Sequence, residues 1–240
     1  MTTPIEKSAY ALRALAGADA ARTRHLSAAP WYQHFLGPWL PIDRAAAILD
    51  IPCGDGNLLF ALSGMGYSNL RGVDQDEGLV NLARSLNLPA FVGDALEELS
   101  KLEDSSVASI FALDFLEHLE LVGAVNFCRE ARRVLSPGGR LICRAPNAEG
   151  PFGSHDRYND LTHLRAFTSG SAVQLLQLGG FAVGDVEIRD EAPVAYKWQN
   201  LLRRGFYELA TRSLALLLDV AGFGKPGVWT QSMWFSARKT

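Results

Sequence analysis

From residue 45 onward, short apolar runs alternate with longer stretches whose apolar side chains recur every three or four positions. Side chains alternate across a strand and repeat every 3.6 residues on a helix, so this pattern predicts strands separated by helices. The expected strands are AAILDI, NLRGVD, PAFVGD, VASIFALD and GRLICRAPN. Helices are expected over residues 56–63, 77–86 and 121–135, the last with Leu121, Val125, Cys128 and Leu135 at helical spacing. Strands regularly interrupted by helices pack as a parallel sheet covered on both faces. LSPGGR supplies a helix stop and a turn before the fifth strand, and Thr168 suits the N-cap of a helix that LQLGGF ends.

The end of the chain breaks this rhythm. Residues 181–189 read as a strand, 196–220 as a long amphipathic helix and 228–237 as a final strand, so the helix belongs to an insertion at about residues 192–226. Trp198, Leu202, Phe206, Leu209 and Leu217 form its apolar stripe, beside Arg203, Arg204, Glu208 and Arg212. Docking of that stripe on the core, or on a second copy in a homodimer, is expected in preference to a membrane surface. Residues 1–44 read as a cap of two short helices containing the aromatic stretch PWYQHFLGPWLP, and residues 45–240 as the main domain.

Composition narrows the partners. A net charge of -3 gives no basic footprint for a polyanion, so nucleic acid is not expected. Cys53, Cys128 and Cys143 are odd in number and form no C-x-x-C pair, which favours buried free thiols in a reducing compartment over disulfides or zinc. Arg13 interrupts the apolar N-terminal stretch, and LALLL at residues 214–218 is far short of the ~20 residues that span a bilayer. A cytoplasmic chain with no transmembrane segment is the expectation.

Chemistry enters at ILDIPCGDGN, residues 48–57, where an apolar strand runs into a loop with glycines on either side of Asp55. A dinucleotide loop wants G-x-G-x-x-G with the pyrophosphate on the helix N-terminus. Here the third glycine position holds Leu59, and Asp55 would lie where the pyrophosphate belongs. S-adenosylmethionine carries a positive sulfonium and no phosphate, so it tolerates carboxylates at its loop.

At this point the chain resembles the class I S-adenosylmethionine-dependent methyltransferases. Their first motif, D-x-G-x-G-x-G, is matched by DIPCGDG at Asp50, Gly54 and Gly56, with Pro52 in place of the first glycine. Proline has no N–H to donate, so the loop is expected to bind through Cys53, Gly54 and neighbouring carbonyls. The resemblance implies a Rossmann-like seven-stranded mixed sheet, S-adenosylmethionine as cofactor and S-adenosylhomocysteine as product. It also implies Asp74 on the ribose hydroxyls with Gln75 beside it, Asp94 and Ala95 at the adenine, and Asp114 opening the loop after the fourth strand. Asn57, following the glycines, completes the expected cofactor set.

Methyl transfer from a sulfonium needs no Lewis acid, so turnover is expected to survive chelation. The acceptor should meet the loops after the fourth and fifth strands. In DFLEHLE, His118 beside Glu117 is either a general base or a structural residue that contacts the cofactor or caps the next helix. Residues 145–168 then hold His155, His163, Asp156, Asp160, Arg157 and Tyr158; a metal on the two histidines and two aspartates is conceivable, but no tight helical ligand pair appears and none is expected. The pattern P-N, R-Y-x-D-x-T-H, F-T resembles a subgroup of bacterial methyltransferases of surface-polysaccharide and lipopolysaccharide biosynthesis. That implies a sugar or glycan hydroxyl as acceptor, with Asn147, Arg157, Tyr158 and Asp160 on the substrate and His118, His155 and His163 as catalytic candidates. The alternatives are another small molecule, such as a quinone precursor or polyketide, and a cofactor-binding partner subunit without catalysis.

Overall fold

The first strand of the sheet is β1 (Ile48–Asp50), and it lies at the centre. The computed structural model describes residues 17–151, 153–194, 198–222 and 225–240. On one side of β1 run β2 (Leu70–Asp74) and β3 (Ala90–Val92); on the other lie β4 (Val107–Leu113) and β5 (Leu135–Pro146). The order is β3-β2-β1-β4-β5-β7-β6, parallel except that β7 (Ser232–Arg238) runs antiparallel between β5 and β6 (Val186–Asp190). The fold is thus the α/β, seven-stranded mixed sheet that the alternation and the resemblance predict.

Pleating sorts the strand residues onto two cores. Leu49, Ile110, Ala112, Leu141, Cys143 and Phe235 point into one, while their neighbours Ile48, Phe111, Ile142 and Trp234 point into the other. The first is closed by α5 (Leu121–Val134) and α7 (Ser169–Leu178) through Phe127, Cys128, Leu175 and Leu176. Thr168 is the N-cap of α7 and completes a capping box with Ser171. The second core is closed by α1 (Gly17–Leu36) and α2 (Asn57–Gly64). Helix α3 (Glu77–Ser85) follows β2, starting at an Asp76 cap.

Residues 1–16 of the expected helical cap lie outside the described residues; residues 17–44 hold α1, which continues through Pro30, and a 3-10 turn at Gly37–Trp39. An interior proline costs ~3 kcal/mol in a helix. Beyond it, however, Phe35 and Leu36 are buried, and Trp31 and Phe35 pack on Trp234 of β7 with ring centroids 5.4 and 6.4 Å away. Each buried aromatic removes 150–250 Å² from water, enough to outweigh the break.

Two short helices carry no apolar repeat and escaped the periodicity: α4 (Ala95–Ser100) and α6 (Gly153–Asn159). At the far end, β6 starts only at Val186, after a 3-10 turn at Val183–Asp185. Helix α8 (Trp198–Val220) does lie between β6 and β7. Its stripe is not docked on this chain's core: Leu202, Phe206, Leu209 and Leu217 are all more than half exposed, and the helix is tied back by the Tyr207 hydroxyl to Asp190 at 3.2 Å. No helix among the described residues is long and apolar enough to cross a membrane.

Candidate active site

The carboxyl ends of β1 and β2 form the first half of the site. After Asp50 the chain turns through Pro52 and Cys53 to Gly54 and Gly56, whose φ values are +52° and +79°. Gly56 has no alternative: a Cβ there would lie 2.6 Å from Leu88 Cδ1 and 3.0 Å from Ala83 Cβ. At Gly54 a Cβ would meet nothing within 4 Å, so this backbone faces open space.

The loop's amides are not where the sequence suggested. The Cys53 N–H donates to the Val73 carbonyl at 2.8 Å, and the Gly54 N–H to Asp74 Oδ2, also at 2.8 Å. Both are consumed in holding β1's loop to β2, which leaves carbonyls and carboxylates to face a ligand. The Cys53 thiol is buried and pushed well up, by burial first and then by Asp50 and Asp74. It is a packing group against Gly72, not a nucleophile.

Asp74 accepts from Gly54 through one oxygen and from the Asp76 N–H at 2.9 Å through the other. Each oxygen keeps a further lone pair. Gln75 is exposed beside it. Asp94 caps α4, accepting from the Leu96 and Glu97 amides at 2.9 and 3.1 Å through Oδ1 alone, and Ala95 is half-buried next to it.

Asp50 is buried, its Oδ2 unpartnered, and its carboxyl lies well above the usual range because of burial, then Asp74, then Asp55. Asn57 Oδ1, at the start of α2, is likewise buried and unpartnered. A pocket of orphaned acceptors and mutually repelling carboxylates suits a ligand that brings hydroxyl and amine donors and a positive charge. S-adenosylmethionine is such a ligand; a pyrophosphate is not.

Asp55 has a structural partner that the sequence did not disclose. Arg24 of α1 reaches it at 2.9 Å and His25 Nε2 lies 3.3 Å away. Burial alone would raise Asp55, but the contacts with His25 and Arg24 outweigh it and hold the carboxyl at about 2. Because the folded value is depressed below the ordinary 3.8, the stabilisation is full above about pH 4 and is lost as the pH falls toward about 2. We expect Asp55→Asn to cost roughly 2 kcal/mol in urea unfolding near neutrality and almost nothing below about pH 2. A cost independent of pH would show that the pair does not hold α1 over the loop.

The second half of the site follows β4 and β5. Asp114, at φ +50°, pairs with Arg144, which also meets Glu191. Arg144 and Glu191 had no sequence signal, since neither sits in a recognisable motif. Glu117 and His118 lie in a 3-10 turn (Leu116–His118), with Glu117 fully buried. Its carboxyl is pushed well up by burial and then by Asp114. His118 is lowered, by burial first and then by neighbouring His163.

The segment after β5 arches over this turn. His163 sits edge-on to His118 with ring centroids 4.7 Å apart, and its Nε2 is 3.9 Å from Glu117 Oε1. Thr162 links His118 Nδ1 at 2.9 Å to Asp160 Oδ1 at 2.6 Å. Asp160 itself stays below the usual carboxylate range, because these Thr162 bonds outweigh burial.

The other candidates fall elsewhere. Asn147 is buried, giving both amide hydrogens to the Val228 and Thr230 carbonyls at 2.9 and 2.7 Å and accepting from the Glu149 N–H; it pins the loop before β7 and is corrected from a substrate ligand to a structural residue. His155 is exposed on α6, outside the histidine pair. Asp156 is occupied by the Ser232 hydroxyl at 2.8 Å, so His155, Asp156, Asp160 and His163 do not converge on one point. Arg157 lies over the exposed Tyr158 ring at 5.0 Å and donates to the Leu164 carbonyl at 3.0 Å.

A mixed sheet with this strand order, a glycine turn after β1 and acids at or just after the ends of β1, β2 and β3 make up a methyltransferase-type fold. Residues 49–143 match the methyltransferase domain family. Over half of its length it is 29% identical to the tRNA U34 carboxymethyltransferase of Hydrogenovibrio crunogenus, a match that spans 39% of that relative. A S-adenosylmethionine-dependent methyltransferase of Archaeoglobus fulgidus has the same fold, with a TM-score of 0.66 at 19% identity over 90% of this chain and 94% of that one. So does the Haemonchus contortus phosphoethanolamine N-methyltransferase 2 bound to S-adenosyl-L-methionine, with a TM-score of 0.61 at 16% identity over 88% of this chain and 52% of that one.

Proposed function

We propose that the chain is an S-adenosylmethionine-dependent methyltransferase and that it methylates a hydroxyl oxygen of a sugar or glycan intermediate of cell-surface polysaccharide biosynthesis. The observation that carries this reading is the Glu117, His118 and His163 cluster, assembled after β4 and β5 and beside the half of the site suited to S-adenosylmethionine. Bound there, S-adenosylmethionine supplies a methyl group already activated on a sulfonium.

The chain's own residues do the rest. Asp74 holds the ribose hydroxyls through its spare lone pairs, Asp94 faces the adenine amine through Oδ2, and Asp50 and the Gly54 backbone line the charged end. His118, whose Nε2 is buried and unpartnered, lies on the acceptor side. Alignment and exclusion of water contribute up to roughly 7–11 kcal/mol in such displacements. Tyr158, Arg157 and Asp160 offer hydroxyl-binding groups on the outer wall.

A nucleic acid acceptor, as the name of the Hydrogenovibrio relative suggests for that protein, is disfavoured: Asp114, Glu117, Asp156 and Asp160 crowd this side, and the net charge is -3. A phenolic small molecule is the second reading, because Tyr158 is 73% exposed on this side.

The test is S-adenosylhomocysteine release against sugar, lipid-linked glycan, phenol and tRNA acceptors. With the correct acceptor, His163→Ala should cut turnover at least tenfold while S-adenosylhomocysteine affinity stays within about threefold, under roughly 1 kcal/mol. Turnover confined to the phenol or the tRNA would sink the glycan reading. Equal loss of affinity and turnover would move His163 to the cofactor side.

A further inference from the structure

Glu117, His118 and His163 each offer one ligand atom, and these atoms all lie within 4.8 Å of one another. Glu117 is fully buried with neither carboxylate oxygen hydrogen-bonded, and His118 Nε2 is equally unpartnered. Leaving such atoms without a partner is costly, most of all for a charged group. Unpartnered acceptors gathered with a second histidine in this way imply a missing electrophile.

The surrounding hydrogen bonds fix which nitrogens carry protons. The Thr162 hydroxyl gives its hydrogen to Asp160 Oδ1 at 2.6 Å, so at its 2.9 Å contact with His118 Nδ1 it must accept. His163 Nδ1 lies 2.9 Å from the Asp156 carbonyl, which can only accept. Both rings therefore donate from Nδ1 and, when neutral, keep a lone pair on Nε2, which on His163 lies 3.9 Å from Glu117 Oε1. Histidines that bind metals are oriented in this way, by a carbonyl or carboxylate behind the far nitrogen.

We propose that Glu117, His118 and His163 bind a divalent transition-metal ion of the zinc class on the acceptor side of the sheet. Two imidazole nitrogens and one carboxylate favour such an ion over Mg²⁺, which prefers oxygen ligands. Three protein ligands leave coordination positions for water or an acceptor oxygen. The site departs from the expectation that no metal is needed. A sulfonium donor has no use for a Lewis acid, whereas a hydroxyl acceptor does, because a bound ion lowers its pKa. The proposal does not depend on which acceptor is used.

The experiment loads the purified chain with Zn²⁺, desalts it and counts the metal, with Co²⁺ absorption reporting the ligand field. The wild type should retain about one ion per chain at a Kd of 1 µM or tighter, and its thermal midpoint should rise with Zn²⁺. Glu117→Gln and His163→Gln should each bind at least tenfold more weakly, and Thr162→Val, which removes the bond behind His118 but no ligand itself, about 10–100-fold more weakly. His155→Ala should retain the ion. If either ligand variant fails to fold, Thr162→Val carries the test. The proposal is overturned if the wild type retains no ion, if the Thr162 variant binds as the wild type does, or if His155→Ala loses the ion equally, which would mean chelation by surface histidines.

Discussion

Asp74→Ala is expected to weaken S-adenosylhomocysteine binding by about 100-fold or more. Two ribose hydroxyls would lose a charged acceptor, and each such bond contributes roughly 1.5–3 kcal/mol. The structure adds a second effect. The Asp74 carboxylate also receives the Gly54 and Asp76 amides, so its removal frees the glycine loop from β2 and should lower stability by ~1–2 kcal/mol. Asp74→Asn should fall between, because one oxygen is exchanged for a donor that faces an amide donor. Calorimetric titration and thermal unfolding of the three proteins separate the two effects. Affinity within threefold of wild type in the alanine variant would remove Asp74 from the cofactor site.

Gly56→Ala should destabilise the fold by about 2–4 kcal/mol, a drop in Tm of roughly 5–15 °C. The added Cβ would stand 2.6 Å from Leu88 Cδ1 in a backbone conformation, φ +79°, that itself costs an L-residue about 1–2 kcal/mol. Gly54→Ala makes the instructive contrast. Its Cβ meets no protein atom within 4 Å, so strain is the whole of its stability cost, yet the methyl would project into the space facing the cofactor. It should lose more affinity than stability, and Gly56→Ala the reverse. Gly64→Ala, in the last turn of α2 with nothing within 4 Å, should leave both unchanged. Identical profiles for the Gly54 and Gly56 variants would show that the loop responds as a unit.

What the sequence disclosed was whatever repeats or has fixed local chemistry. The five parallel strands and α2, α3, α5 and α7 all stand on apolar periodicity, and Thr168 caps α7 because its hydroxyl acts on the next turn alone. Asp50, Asp74 and Asp94 were legible as strand-end acids after the resemblance placed them. What stayed hidden depends on residues far apart in the chain. Arg24 reaches Asp55, and His163 reaches Glu117, across distances that no spacing rule measures. Asn147 read as a sugar ligand because a polar side chain after a strand looks the same whether it meets a hydroxyl or the carbonyls of residues 228 and 230. The exposed stripe of α8 shows the converse: an amphipathic period predicts a helix, while what covers its apolar face is not encoded locally.

The antiparallel β7 gives the chain a particular order of assembly. It lies between β5 and β6, and residues 147–231 separate it from the strand it joins. During synthesis β1 to β5 emerge first and can pair in parallel, but the outer edge of β5 then stays open with Leu141, Ile142 and Cys143 unshielded by a neighbour. Open apolar edges recruit other chains. The same delay leaves Trp31 and Phe35 of α1 without Trp234, so this face of α1 is completed only when the last strand arrives. One face of α1 is therefore among the last parts of the core to close, and a ribosome-bound chain halted before residue 232 would be a ready substrate for a chaperone.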